Sequence, residues 1–214
     1  MIGSVKASRD YDSSRRRHAA LARREMILDA ARVLFLQSGF ARTTVAVIAV
    51  EAGVSQETVY KAFGGKTGLV EALYRQGLEG AGPVPAYQRS DDLRGTADPY
   101  EVAYGWSRLA MEVGPRVFPI YLLVRDASLV EPGLRDLLRE MDEDRYARMA
   151  ENARYLEQAG HLSRGIDVDA AADLMWSVTS PEMFELLVVR RGWSLERWAD
   201  SLYATISGLL TQRR

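Results

Sequence analysis

A chain of 214 residues, 47% of them apolar, is long enough to bury one or two ordinary cores, and its net charge of −1 argues against indiscriminate polyanion binding. That balance conceals a split: Met1–Lys66 carries 11 Lys/Arg against 6 Asp/Glu and the remainder 17 against 23, a basic front half on an acidic body. The absence of cysteine excludes disulfides and Cys-containing zinc sites, and the longest apolar runs, 118–124 and 184–189, are too short to cross a bilayer.

Met1 to Ala22 reads as a flexible polar tail rich in arginine (Arg15, Arg16, Arg17) with no packing face. From Arg23 the pattern turns helical: Ile27, Ala30, Ala31, Leu34 and Phe35 recur at the spacing of one helix face, with Gly39 as a stop. Thr43 and Thr44 offer hydroxyl caps for a short second helix carrying Val45, Ile48, Ala49 and Ala52. Gly53 ends it, and Ser55 caps a third short helix from Gln56 to Phe63. After Gly64-Gly65 a fourth helix runs from Lys66 through Leu69, Leu73 and Leu78, and residues 80–99 form a Gly/Pro-rich loop.

Every later periodic stretch is also helical: 100–113, then 117–130 beyond Gly114-Pro115, then 134–159, 169–189 interrupted by Pro181, and 195–210. No β-alternation and no internal repeat is present, so the fold class is all-α. The domain boundaries follow: a tail at 1–22, a three-helix domain at 23–66, a connecting helix at 67–80, and a larger helical body at 81–214.

The informative stretch is 43–66. Two short helices joined by Ala52-Gly53-Val54-Ser55 are unstable alone and need the 27–35 helix to pack on, which makes a helix-turn-helix. Val54 and Val59 point into that core while Ser55, Gln56, Thr58, Tyr60 and Lys61 project outward. A capped helix N-terminus is a phosphate seat; Gln56 suits an adenine edge, Thr58 a thymine methyl, and Tyr60 and Lys61 the sugar-phosphate backbone. Glu57 accepts from a cytosine or faces solvent.

These residues resemble the TetR family of regulators, through Gly39, Thr43-Thr44-Val45, Ile48-Ala49, Ala52-Gly53-Val54-Ser55, Thr58-Val59-Tyr60, Phe63, Lys66 and Leu69. The resemblance implies that Thr43, Thr44, Ser55, Gln56, Thr58, Tyr60, Lys61 and Lys66 form the DNA-binding set, with Thr44 on phosphate and Lys66 as a phosphate clamp. It departs from the family at Ala62, where a ring is common, at Gly65, and at Thr67-Gly68. Ser180-Pro181-Glu182 and Arg191-Gly192-Trp193 are a second, less specific likeness.

What the resemblance implies further is a repressor, not an enzyme, that binds double-stranded palindromic operator DNA as a homodimer and is released by a small-molecule effector. The dimer would be built from the last two helices, where Leu174, Val178, Leu187, Trp198, Leu202 and Ile206 exceed one packing face. Trp106, Phe118, Tyr121, Met149, Met175 and Trp176 line an effector pocket or simply fill the core.

Other readings are weaker. Gly64-Gly65-Lys66-Thr67 looks like the end of a phosphate-binding loop, but Tyr60 stands where that motif needs glycine and no strand precedes it. Arg15–Arg17 is a minor-groove arm or a solvated tail. His18 and His161 lie far apart with no ligand motif, so no metal site and no cofactor is expected. The charged, serine-bearing start is unlike a signal peptide, and a cytoplasmic location with no membrane partner is expected. A helical ligand-binding protein or an enzyme without DNA-binding activity is the competing class.

Overall fold

The computed structural model describes residues 4–96 and 98–211, with side chains described from Arg17 onward. Described residues are helical almost throughout, apart from turns and one isolated antiparallel bridge between Leu162 and Leu210. The chain divides into two compact units, Met1–Leu73 and Tyr74–Arg214.

In the first unit α1 (Ser4–Arg42) is one long helix broken only at Gly39, whose φ of 78° ends the regular turn. The tail expected over residues 1–22 is therefore helical from Ser4, although residues 17–26 are exposed and the buried face begins at Ile27. Arg17 is exposed, whereas the side chains of Arg15 and Arg16 lie outside the described residues. Ile27, Ala31 and Phe35 pack against α2 (Val45–Glu51) and α3 (Gln56–Phe63) through Ile48, Ala49 and Val59, all nearly fully buried. Burying such side chains contributes about 1.5–3 kcal/mol each for the larger ones, which offsets the poor intrinsic stability of helices this short.

The helix α4 (Lys66–Glu79) contributes Lys66–Leu73 to the first unit and Tyr74–Glu79 to the second. Gly68 sits where a Cβ would lie 1.8 Å from the Phe63 carbonyl oxygen, so its missing side chain is what lets α4 start directly behind α3.

The second unit begins with a segment that sequence reading takes as loop. It holds α5 (Ala86–Asp92) and a 3-10 turn at Leu93–Gly95. Its polar sequence has no apolar period; it is held instead by a fork of hydrogen bonds from Arg89 to Glu112, at 2.9 and 2.6 Å, while Ala81 N–H donates to the same carboxylate at 2.6 Å. Next, α6 (Pro99–Ser128) runs straight through Gly114, Pro115 and Pro119, where two helices were expected. Proline removes an N–H and crowds the preceding turn, but Val117, Phe118, Ile120, Tyr121 and Val124 are buried on one face and hold the helix together. Gly114 is a packing position: the Trp198 indole and the Phe118 ring lie 3.1 Å from where its Cβ would be.

Then come α7 (Gly133–Gln158), α8 (Val168–Val178) and α9 (Pro181–Phe184), the last with Pro181 in its first turn and Ser180 as cap, accepting from Met183 N–H. Glu185–Arg190 continues as a π-helical turn, closed by Arg191 N–H to Leu186 C=O at 3.1 Å, five residues back. Finally α10 (Leu195–Ser207) lays Trp198, Leu202 and Ile206 on one stripe against α6. Phe118, Phe184 and Trp198 form an edge-to-face cluster with centroids 5.2–6.0 Å apart.

Candidate DNA-binding surface and ligand cavity

The helix-turn-helix geometry is explicit in the first unit. Thr44 caps α2 by accepting from Val47 N–H at 3.2 Å, and Val54 N–H reaches back to Ala49 C=O at 2.9 Å. Gly53 between them has φ of 64°, a left-handed value that costs a side-chain-bearing residue about 1 kcal/mol or more. Ser55 then caps α3, accepting from Thr58 N–H at 3.2 Å and sharing a 2.9 Å hydroxyl contact with Thr58. Together these fix where α3 starts and which face it turns outward.

That outward face carries Ser55, Gln56, Glu57, Tyr60 and Lys61, all exposed, with Tyr60 showing 54% of its surface. Glu57 and Lys61 pair at 2.7 Å along the helix in full solvent. Thr58 is half-buried with its hydroxyl turned to Ser55, leaving its methyl as the group that can meet another surface. Thr44, Gln56 and Tyr60 are thus exposed, and Lys61 is exposed in its pair with Glu57.

Two expected members differ. Thr43 is 2% exposed, and its hydroxyl donates to Leu34 and Gly39 carbonyls at 3.2 and 2.8 Å. It closes the C-terminal end of α1 and does not reach the surface; of two adjacent threonines, only the one at the cap of α2 faces out. Lys66 is half-buried, its Nζ donating to Phe40 C=O at 3.0 Å and lying 4.2 Å from the Phe40 ring centroid. The ammonium has two further N–H donors, so the same residue ties α4 to the end of α1 and still offers hydrogen bonds outward.

One positioning residue is absent from the sequence expectations. Arg24 stacks 4.2 Å from the Phe63 ring centroid and donates to Ala62 C=O at 3.0 Å, holding the C-terminus of α3 against α1. A cation at a helix C-terminus complements the helix dipole. Its only sequence signal is its place one helical turn before Ile27.

The second unit contains a cavity of about 150 Å³ between α4, α5, α6, α7, α8 and α10. Of the six residues named from the sequence, Trp106, Phe118, Met149 and Met175 line it, joined by Tyr74, Tyr87, Arg145, Arg148, Asn152, Leu202 and Ile206. Tyr121 and Trp176 do not reach it. Tyr121 donates to Asp142 at 2.7 Å, and the two rings flank the Arg145 guanidinium at 5.8 and 5.5 Å. They support a polar wall residue from behind.

The expected dimer set also separates. Trp198, Leu202 and Ile206 are at most 2% exposed within one chain, because α10 has a single apolar stripe and α6 and the cavity use it. Leu174 is 39% exposed, and Val178 and Leu187 are half-buried. Their exposed apolar neighbours are Leu186 and Val189 on the π-turn. Among the described residues no helix is long and apolar enough to cross a membrane, and no group of three or more His, Cys, Asp or Glu is placed to hold a metal.

The model of the bacterial regulatory proteins of the TetR family matches residues 27–73, the span that builds α1 to α4 of the first unit. Over that span the chain matches the TetR family's DNA-binding domain. The first unit is therefore a helix-turn-helix domain of the kind found in DNA-binding transcriptional regulators. The HTH-type transcriptional regulator BetI 1 of Chromohalobacter salexigens is 27% identical over 72% of this chain and 77% of its own length. Among solved structures, SmeT, the repressor of the Stenotrophomonas maltophilia multidrug efflux pump SmeDEF, in complex with triclosan, is 22% identical. It superposes with a TM-score of 0.70 over 89% of this chain and 92% of that one. A transcriptional regulator from Saccharomonospora viridis in complex with choline is 24% identical, with a TM-score of 0.67 over 89% and 98% of the two chains. Both of these structural likenesses are of fold.

Proposed function

We propose that this regulator is a cytoplasmic repressor that binds a palindromic operator as a homodimer through α3 and leaves it when a small molecule fills the cavity of the second unit. The observation that carries the reading is the outward face of α3: a Ser55-capped N-terminus followed by exposed Gln56, Tyr60 and Lys61 on a helix fixed from both ends. Gln56 reads an adenine edge, the Thr58 methyl meets a thymine, and Tyr60, Lys61, Thr44 and Lys66 hold the backbone. Two copies read two half-sites one helical turn or more apart.

The dimer surface is assigned to α8 and the π-turn, where Leu174, Val178, Leu186, Leu187 and Val189 leave apolar area uncovered. The effector reading is supported by the cavity and by the two small molecules held in the similar structures. Ligand and operator are coupled through α4, whose first half belongs to the DNA-binding unit and whose Tyr74 lines the cavity. Coupling of this kind is reciprocal, so DNA weakens the ligand by the factor by which ligand weakens DNA.

The test is fluorescence anisotropy with DNA from upstream of the protein's own gene, in competition with scrambled duplex. Specific binding that follows protein concentration as a dimer supports the reading. Binding no tighter than to scrambled DNA refutes it.

A further inference from the structure

The effector reading just proposed says that something fills the cavity; the wall also constrains its chemistry. Arg145 and Arg148 are the charged side chains on that wall, both from α7, and no Asp or Glu lines it. Arg148 is already neutralised, paired with Asp91 and with Glu151 at 3.4 Å and stacked 4.5 Å from the Tyr87 ring centroid. Arg145 is held less tightly. It is 9% exposed, and its contacts are Asp142 at 3.5 Å and the Trp176 and Thr179 carbonyls at 3.2 and 3.5 Å. Good charge-assisted hydrogen bonds are near 2.7–2.9 Å, and the same Asp142 oxygen already accepts from Tyr121 at 2.7 Å. Tyr74 lines the same cavity and feels the charge of Arg145; it is 3% exposed, and its hydroxyl has no hydrogen-bond partner.

We infer that the Tyr74–Arg145 end of the cavity seats an anionic head group, a carboxylate or its equivalent, on an effector whose body is apolar. Burial raises the Tyr74 phenol well above its ordinary range, so it stays protonated and donates. A carboxylate would take that donor and complete the coordination of Arg145, two buried groups whose hydrogen bonding the protein's own groups leave incomplete. The rest of the wall, with Trp106, Phe118, Met149 and Met175, suits a body of about one aromatic ring, since a dry cavity of about 150 Å³ holds benzene. A quaternary ammonium, the class of ligand held by the Saccharomonospora viridis protein, meets two arginines here and no carboxylate.

The experiment holds the body constant and changes the head. The full chain is titrated calorimetrically with 3-phenylpropanoate, 3-phenyl-1-propanol and 3-phenylpropyltrimethylammonium, and with octanoate, 1-octanol and octyltrimethylammonium. In at least one series the carboxylate binds about tenfold or more tighter than the alcohol, and the ammonium is weakest. Tyr74→Phe lowers carboxylate affinity about tenfold while the ligand-free thermal midpoint stays level or rises, because an unpartnered buried hydroxyl is removed. Arg145→Met abolishes the preference of carboxylate over alcohol. Alcohols binding as well as carboxylates, or a preference for the ammonium, overturns the head-group assignment and leaves the cavity as an effector site. A lower ligand-free midpoint for Tyr74→Phe also overturns it. No binding in either series overturns both the assignment and the effector reading of this cavity.

Discussion

Gly68→Ala sets two effects of known size against each other. In an exposed helix interior alanine is favoured over glycine by about 1 kcal/mol, so on propensity alone the substitution strengthens the first turn of α4. The structure reverses the sign. The added methyl carbon would lie 1.8 Å from the Phe63 carbonyl oxygen and 3.0 Å from its carbon, and both are backbone atoms of the turn that ends α3. Ordinary contact for that pair is near 3.4 Å, so α4 and the end of α3 must part by more than an ångström. Phe63 is itself buried and stacked under Arg24, so it cannot swing aside cheaply. Overpacking of this kind costs about 1–3 kcal/mol; so deep an overlap with backbone atoms belongs at the upper end, leaving a net destabilisation of about 2 kcal/mol once the propensity gain is subtracted. Urea unfolding followed by circular dichroism reads it as a lower midpoint with an unchanged slope. Because the displaced turn belongs to α3, operator affinity falls in parallel. A variant as stable as the parent, with unaltered DNA binding, would refute the packing argument.

Further substitutions probe separate parts of the molecule. Gln56→Ala costs about 1–3 kcal/mol on the specific operator and little on random DNA, whereas Lys61→Ala weakens both and lowers the slope of log K against log salt by about one; anisotropy across a salt series separates them. Leu186→Glu with Val189→Glu converts a dimer to a monomer in light scattering without lowering secondary structure. By contrast, Trp198→Ala costs about 3–5 kcal/mol in unfolding experiments by emptying the cluster with Phe118 and Phe184. Glu112 is held at a pKa of about 2 by its hydrogen bonds from Arg89, with smaller help from the Ala81 N–H. Its folded value lies below its unfolded one, so its contribution is complete above about pH 4.5 and fades as pH falls toward 2. Glu112→Gln therefore lowers stability near neutrality by about 1–2 kcal/mol, discounted for a carboxylate 27% exposed, and the gap to the parent closes across that acid window.

The helix-turn-helix was legible because its signals are local. Caps at Thr44 and Ser55, a left-handed Gly53 and a buried Val59 each act within four residues of themselves, and all stand where the pattern puts them. What failed was assignment between neighbours and between faces. Thr43 and Thr44 are chemically identical, and only the end of α1 decides which hydroxyl is spent inside. Pro115 and Pro119 carry a strong breaking signal that a buried helix face overrode. Tyr121 and Trp176 lie one layer behind the cavity, a distinction no spacing rule makes. One clue was available: along α7 the buried stripe Met141, Arg145, Asn152, Leu156 is interrupted at helical spacing by an arginine and an amide. Polar residues on an otherwise apolar face mark a wall with business other than packing.

The π-turn at Glu185–Arg190 bears on how this protein tolerates changes of length. A π-turn is an α-helical stretch holding surplus chain. Phe184 before it and Trp198 after it are both seated in the core, while Leu186 and Val189 within it face outward. Deleting one residue there lets the turn relax to ordinary α-helix between two anchored ends. The core would keep its register, and the outward pair would be re-aimed by about a quarter turn, roughly 100°. The segment is thus a place where a single codon gained or lost re-cuts an outer surface without redesigning the interior, and where related chains can differ in whom they pair with while folding identically.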